Sequence, residues 1–361
     1  METVKSCQQT NSCLKIATCQ THTMAAIEND LWVAYRDDIE NISCKGNERI
    51  SAGTFTKVDH LFDNSGIKSV VCNKKYSMVL TNSGNIFISR KFIEYNLFRF
   101  IRVNTLSSIH FIKCIGDTFV MISGPDVTVH IFKDTIRSVS LGLHIDEVVR
   151  IFFFSWSGVI FDIGKKMIIY DLSYSAQHHS FGVQLDLRGM EEADSTIWRD
   201  GTITTEILDI QETYYKTLVL LKALTQDGTV VKYYIVEGKC RHKILYLKDI
   251  QLNNPRIFFG PFDTHYLYNE TSNGSAHLYK LKFGHSLSPV STEEINIPRF
   301  ITEKINDAAV SYFHRFFVFE NYVYCDSDNF SNVAGCDGCG FRIHPFLTEL
   351  LSRTKNATSR I

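Results

Sequence analysis

One pattern that occurs twice, 144 residues apart, limits what this chain can fold into more than any other feature. Residues 80–86 read Leu-Thr-Asn-Ser-Gly-Asn-Ile, and residues 224–230 read Leu-Thr-Gln-Asp-Gly-Thr-Val. Each lies between two apolar runs, and an apolar strand, a polar turn with glycine and a second apolar strand predict a β-hairpin. Because Gly84 and Gly228 are separated by three times 48 residues, a repeat of about 48 residues predicts two further hairpins between them.

Five more segments fit the same pattern, with turns near residues 30, 126, 164, 274 and 321. The flanking apolar segments are 23–27 and 31–35, 76–80 and 86–88, 119–122 and 127–132, 158–161 and 167–170, 218–224 and 230–235, 265–268 and 276–281, and 313–319 and 322–324. Seven such units predict an all-β, seven-bladed β-propeller with degenerate repeats and four-stranded blades. A pair of β-sandwiches and a β-solenoid are the alternatives.

The repeats occupy residues 1–330, and we expect these to form a single propeller. The longest gap, between the fourth and fifth turns, holds the polar stretch 172–200, which we interpret as an inserted loop. Residues 331–361 are expected to form a loop rich in Gly and Cys and a short helix over 345–355, with Phe346, Leu347, Leu350 and Leu351 on one face. Segments 14–18 and 341–346 are available as terminal strands that close the ring.

The charge balance and the lengths of the apolar runs limit the kinds of partner that we expect for this chain. The chain has 38 basic and 39 acidic residues, a balance that does not favour nucleic acid, and the basic stretch 239–248 is interpreted as a solvated strand edge. No apolar run is long enough for a transmembrane helix, so we expect no membrane insertion. The start lacks the apolar segment of a signal peptide, which predicts a cytoplasmic or nuclear protein whose ten cysteines are reduced.

Motifs for chemistry are absent: there is no phosphate-binding loop, no nucleophile elbow and no His-Glu-x-x-His segment. We therefore expect no enzymatic activity and no cofactor. Cys336 and Cys339 have zinc-ligand spacing, and Cys325 and His344 could complete a tetrahedron. Because the spacing from Cys325 is loose and no second Cys-x-x-Cys accompanies the pair, we expect no metal there and interpret the segment as a loop.

Trp198 and Arg199, at the end of the predicted loop, are the candidate partner-binding residues. Tryptophan and arginine are the residue types that most often anchor protein interfaces.

Residues 67–87 resemble one repeat of the regulator of chromosome condensation family. Cys72, then Ser77, then Leu-Thr-Asn-Ser-Gly-Asn-Ile-Phe follow the family's order of a small residue, a hydroxyl residue and the Leu-Thr-x-x-Gly core. In the first unit the matching residues are Cys19, His22, Thr23 and Trp32, and in the third unit the match is Cys114. The resemblance implies a seven-bladed propeller.

Members of that family act as nucleotide exchange factors for small GTPases, as ubiquitin-ligase modules or as docking platforms. The acidic residues and the protruding wedge of the exchange factors have no match here, so no residue roles are transferred. We expect a noncatalytic scaffold or adaptor that binds other proteins. A GTPase regulator and a substrate-binding module of a ubiquitin ligase are the alternatives.

Overall fold

The computed structural model describes the following residues: 14–35, 43–45, 48–49, 54–58, 62–90, 100–106, 108–115, 117–148, 150–154, 158–162, 167–171, 183–185, 207–215, 218–225, 229–236, 239–246, 256–259, 265–270, 275–282, 291–295, 305–311, 314–327 and 340–358. They form seven four-stranded sheets, one two-stranded ribbon and one α-helix. Every strand pair in these sheets whose register is resolved is antiparallel. Among the described residues, no helix is both long and apolar enough to cross a membrane.

One compact unit comprises Thr10–Leu141 and Glu303–Ile361, and it contains sheets 1, 2, 3 and 7. Sheet 1 consists of β1 (Lys15–Thr18), β2 (His22–Ile27), β3 (Asp30–Tyr35) and β6 (Thr56–Lys57), with the ribbon β4 (Ser43–Lys45) and β5 (Glu48–Arg49) inserted before β6. Sheet 2 consists of β7 (Ile67–Cys72), β8 (Tyr76–Thr81), β9 (Ile86–Arg90) and β10 (Phe100–Arg102). Sheet 3 consists of β11 (Ile109–Ile115), β12 (Thr118–Ser123), β13 (Asp126–Phe132) and β14 (Ile136–His144). Sheet 7 consists of β27 (Asp307–Val310), β28 (His314–Val318), β29 (Val323–Ser327) and β30 (Gly340–Ile343), followed by helix α1 (Pro345–Thr358).

The other unit includes Gly142–Thr302 and contains sheets 4, 5 and 6. Sheet 4 consists of β15 (Arg150–Phe154), β16 (Gly158–Asp162), β17 (Met167–Asp171) and β18 (Val183–Leu185). Sheet 5 consists of β19 (Ile207–Tyr215), β20 (Leu218–Thr225), β21 (Thr229–Val236) and β22 (Lys239–Tyr246). Sheet 6 consists of β23 (Arg256–Phe259), β24 (His265–Glu270), β25 (Ala276–Lys282) and β26 (Ser291–Ile295).

All seven predicted hairpins are confirmed, and each is the central strand pair of one sheet. The stretch 239–248 was predicted as a solvated strand edge, and β22 within it is an outer strand of sheet 5, whereas its solvation remains a prediction. Helix α1 begins at Pro345 as predicted, and Leu347, Leu350 and Leu351 are buried.

Three boundaries differ from the predictions. The stretch 172–200 is not a loop throughout, because Val183–Leu185 pairs with β17 and completes sheet 4. Gly340–Ile343 pairs with β29, so sheet 7 extends beyond residue 330 into the predicted tail. Lys15–Thr18 pairs with β2, and β30 pairs with β29. In the described residues, each terminal strand therefore belongs to the sheet formed by the strands next to it in sequence.

The central strands β2 and β8 are buried along their whole length because neighbouring sheets stack on both of their faces. In β2, Ala25 faces the apolar cluster shared with sheet 7, whereas Met24 and Ala26 face the cluster shared with sheet 2. Successive residues of a strand point to opposite faces, so one strand can contribute to two cores. Helix α1 places Leu347 and Leu350 in the cluster between sheets 7 and 1.

The same backbone hydrogen bond joins consecutive sheets. The N–H of Ile67 in sheet 2 donates to the carbonyl of Glu28 in the sheet 1 turn, and the N–H of Ile109 in sheet 3 donates to the carbonyl of Gly84 in the sheet 2 turn. Both turn residues have a positive φ, 51° for Glu28 and 81° for Gly84. The two turns therefore present a carbonyl to the next sheet in the same way, although residue 28 is not glycine and the turns differ in length, with Ile27 opposite Asp30 in one and Leu80 opposite Ile86 in the other.

Candidate functional site

The structure does not place the predicted partner-binding pair, because Trp198 and Arg199 lie outside the described residues. Cys336 and Cys339 also lie outside them. Of the set considered for zinc, His344 is buried and its Nδ1 accepts a hydrogen bond from the backbone N–H of Leu347, 3.2 Å away, at the start of α1. Cys325 is buried and disulfide-bonded, so the expectation of reduced cysteines is wrong at this position.

A different group of soft ligands comes together between sheets 1 and 2. Cys19 and His22 flank the tight turn between β1 and β2, which is closed by a 3.0 Å hydrogen bond from the N–H of Cys19 to the carbonyl of His22. Cys72 is the last residue of β7. The Cys19 and Cys72 sulfurs and a ring nitrogen of His22 lie within 4.8 Å of one another, and all three residues are buried. We call these three residues the thiol–imidazole cluster.

The imidazole of this cluster is held from both sides. Nδ1 of His22 lies 3.3 Å from Sγ of Cys19 and 2.9 Å from Oγ1 of Thr21. Nε2 forms a 2.8 Å hydrogen bond with Oγ of Ser77, which follows the equivalent turn in sheet 2. The ring of Tyr35 lies 5.9 Å from the imidazole, centroid to centroid. These contacts fix the ring orientation and couple sheet 1 to sheet 2.

The pKa values of the two thiols in the cluster are shifted in opposite directions. Burial opposes ionisation of Cys19, but the thiol of Cys72 and the adjacent His22 outweigh it and bring the pKa of Cys19 well below its ordinary value. Burial and the neighbouring Cys19 raise the pKa of Cys72 well above its ordinary value. Cys19 is therefore the thiol that ionises first, and the imidazole stabilises its thiolate. Cys114 of sheet 3 also has a raised pKa, because of burial and the charge of Cys19.

The cluster occupies a position that repeats in other sheets with other side chains. The turn closed by Cys19 and His22 has counterparts closed by Asn73 and Tyr76 in sheet 2 and by Ser311 and His314 in sheet 7. Tyr76 also reaches towards the next sheet, where its hydroxyl donates to Asp134 at 3.1 Å. The side-chain ring at this position therefore links neighbouring sheets. At the contact between sheets 1 and 2, the thiols of Cys19 and Cys72 lie beside that ring.

A second polar network holds the turn of sheet 2. The carboxylate of Asp63 accepts hydrogen bonds from Thr81 at 2.8 Å and Ser83 at 2.6 Å, and from Asn85 and Ser65. Burial opposes ionisation of Asp63, but the donors, Asn85 foremost, outweigh it and hold its pKa far below the ordinary value. Four side chains from two segments thus converge on this carboxylate, which fixes the turn.

The described surface carries one large exposed apolar side chain, Ile101, which is 62% exposed. Ile101 lies in β10, the outer strand of sheet 2. The neighbouring Arg102 is exposed and donates a 2.6 Å hydrogen bond to Asn85, so the edge is tied to the Asp63 network. An apolar side chain beside an anchored arginine is a surface that suits a protein partner.

Comparisons with known proteins agree on the fold. No protein-family model matches the chain, and no curated protein matches it in sequence. Among solved structures, the chain is similar to human WBSCR16, with a TM-score of 0.55 and 11% identity over 86% of this chain and 88% of that one. It is similar to Kluyveromyces lactis Hsv2, with a TM-score of 0.52 and 9% identity over 92% of this chain and 98% of that one.

It is also similar to Prp20p of Saccharomyces cerevisiae, with a TM-score of 0.50 and 13% identity over 82% of this chain and 80% of that one. At such identities the likeness shows the fold alone. The β-propeller fold, and the resemblance to regulator of chromosome condensation-like propellers at the level of the fold, are confirmed. The number of blades remains a prediction, with which the seven described sheets agree.

Proposed function

We propose that this protein is a noncatalytic scaffold or adaptor that binds other proteins through loops and strand edges of the propeller. The observation that carries the proposal is Ile101, which is exposed on an outer strand that hydrogen bonds hold in place. A rigid surface loses little entropy on binding, so an apolar residue there contributes effectively to an interface. Two further supports are the likeness in fold to Prp20p, a protein with binding properties to Gsp1p and histones, and the Trp198–Arg199 pair predicted from sequence.

The chemistry of the other described polar groups suits a scaffold. Asp63, His130 and His344 could have been read as catalytic, but each is used in a structural hydrogen bond. His130 in β13 lies between Ser123 of β12 and Ser138 of β14, at 2.6 and 2.7 Å, and so bridges three strands of sheet 3. We expect the protein to work in the cytoplasm or nucleus as a subunit of a larger complex.

Capture of partners by the purified full chain tests the proposal. The variants are Ile101→Glu and the double change Trp198→Ala with Arg199→Ala, and the control is Ser140→Glu, which adds the same charge at an exposed position of sheet 3. We expect wild type and control to retain the same partner in equal amounts and at least one test variant to lose it. Equal capture by all four proteins would contradict a role for these surfaces.

A regulator of a small GTPase is the second candidate. It is favoured by the fold-level likeness to Prp20p, which has binding properties to Gsp1p. Nucleotide release from a panel of small GTPases separates the candidates, because a scaffold leaves every release rate unchanged, whereas an exchange factor accelerates at least one of them. Acceleration that survives the double change Trp198→Ala with Arg199→Ala would place the activity elsewhere on the propeller.

A further inference from the structure

The thiol–imidazole cluster has the composition of a metal site. Thiolate and neutral imidazole are the ligands that proteins use most for zinc, whereas buried carboxylates and amides would suit harder ions. The cluster brings together two cysteines that are both free thiols and one histidine, and all three are buried. Cys19 and His22 also have the Cys-x-x-His spacing that lets one short turn present two ligands.

The distances are those of ligands around one ion. Zinc lies about 2.3 Å from a thiolate sulfur and about 2.0 Å from an imidazole nitrogen, so a tetrahedral angle separates the two ligand atoms by about 3.5 Å. Sγ of Cys19 and Nδ1 of His22 are 3.3 Å apart. Cys72 brings its sulfur to within 4.8 Å of both. The separation of Cys19 and His22 therefore matches a shared zinc ion, and Cys72 lies close enough to be the third ligand.

The surroundings of His22 support the same conclusion. A metal-binding histidine usually offers its second nitrogen to a hydrogen-bond partner that fixes the ring. Nε2 of His22 has such a partner in Ser77, at 2.8 Å, and Nδ1 lies 3.3 Å from Sγ of Cys19 as well as 2.9 Å from Oγ1 of Thr21. Because Ser77 and Cys72 are register partners in sheet 2, the strand pair that supplies one ligand also orients another.

We propose that Cys19, His22 and Cys72 bind one zinc ion and supply three of its four tetrahedral positions. Binding displaces to solvent the protons that remain on the two thiols and leaves the ion coordinated by two thiolates and a neutral imidazole. The ion joins the β1–β2 turn to the end of β7, and so stabilises the contact between sheets 1 and 2.

Metal analysis of the full-length protein tests this directly. The protein is expressed with zinc, purified without chelator and compared with Cys72→Ser and with Cys336→Ser, which alters the Cys-x-x-Cys pair outside the cluster. We expect about one zinc per chain in wild type and in Cys336→Ser, and none in Cys72→Ser. Zinc-free wild type, or zinc that survives Cys72→Ser, would overturn the proposal.

A measurement on wild type covers the case in which Cys72→Ser does not fold. After removal of zinc by a chelator, Co²⁺ added to the wild type should produce the charge-transfer absorption of thiolate-bound, tetrahedral cobalt, and added zinc should abolish it. Thermal unfolding should shift to lower temperature on chelation and return when zinc is restored. The absence of cobalt–thiolate absorption, or a disulfide between Cys19 and Cys72 in the native protein, would refute the site.

Discussion

Replacement of Gly84 by alanine tests the repeated contact between sheets. Gly84 has a φ of 81°, where an alanine is strained by about 1–2 kcal/mol. An added Cβ would lie 3.1 Å from the backbone N of Ile109 and 3.1 Å from Cα of Ser108. These backbone atoms cannot rotate away, so the turn must shift and weaken the 3.2 Å hydrogen bond from Ile109 to Gly84, which contributes about 0.5–1.5 kcal/mol. The expected loss of stability is about 1.5–3.5 kcal/mol.

Gly142 provides the matched control. Its φ is also positive, 67°, but an added Cβ would meet nothing within 4 Å. Gly142→Ala should therefore cost only the strain, about 1–2 kcal/mol. The reduced entropy of the unfolded chain is the same for both glycine-to-alanine changes and cancels in the comparison. Urea unfolding, followed by circular dichroism, measures the difference, and Gly84→Ala no more destabilising than Gly142→Ala would refute the inter-sheet role of the turn.

The same test can be made at Gly228, the equivalent position in the fifth repeat. Gly228 lies outside the described residues, and its positive φ remains a prediction from the shared Leu-Thr-x-x-Gly pattern. If the two hairpins are equivalent, Gly228→Ala should destabilise the protein by an amount similar to Gly84→Ala. A near-neutral Gly228→Ala would break the sequence alignment on which the repeat of about 48 residues depends.

Four further outcomes are expected. Leu350→Ala, which empties a buried position of α1, should cost about 2–5 kcal/mol in urea unfolding, whereas the exposed Ser352→Ala should change stability by less than about 0.5 kcal/mol. Burial lowers the pKa of His130 in the folded protein, so as the pH drops this histidine is protonated in the unfolded chain before it is protonated in the folded protein. The free energy of unfolding should therefore fall below about pH 6.5, and His130→Asn should reduce that fall. Deletion of residues 1–21 removes the partner of β2, and a truncated protein with an unchanged melting temperature would contradict the role of β1. Limited proteolysis should cut first within 172–200, on either side of β18, and early cleavage elsewhere would show that this stretch is packed.

The hairpins were predictable because their signals are local. A polar turn between two apolar runs specifies its own strand pairing, and this held even where the turn residue was Glu28 rather than glycine. The outer strands were predicted only in part. Segments 14–18 and 341–346 were assigned as terminal strands, but Val183–Leu185, which has three residues inside a polar stretch and shows no periodicity, was assigned to a loop. Their pairing depends on neighbouring strands that offer a free edge.

The thiol–imidazole cluster could not be predicted from the sequence, because its residues come from two different repeats. Cys19, His22 and Cys72 were each noted in the sequence as elements of a repeat, and Cys19 with His22 has a ligand spacing that could have been recognised. Cys72 comes from a different repeat, and only the stacking of sheet 2 on sheet 1 brings its sulfur to the other two. The partner-binding pair Trp198 and Arg199 remains a prediction from residue type.

A crystal structure of the full chain would show whether the degenerate hairpin repeats build a β-propeller. We expect seven four-stranded antiparallel blades, each with one of the seven hairpins as its central strand pair. We also expect β18 and β30 to be the fourth strands of the fourth and seventh blades. A β-sandwich pair, a β-solenoid or a different number of blades would contradict the repeat alignment.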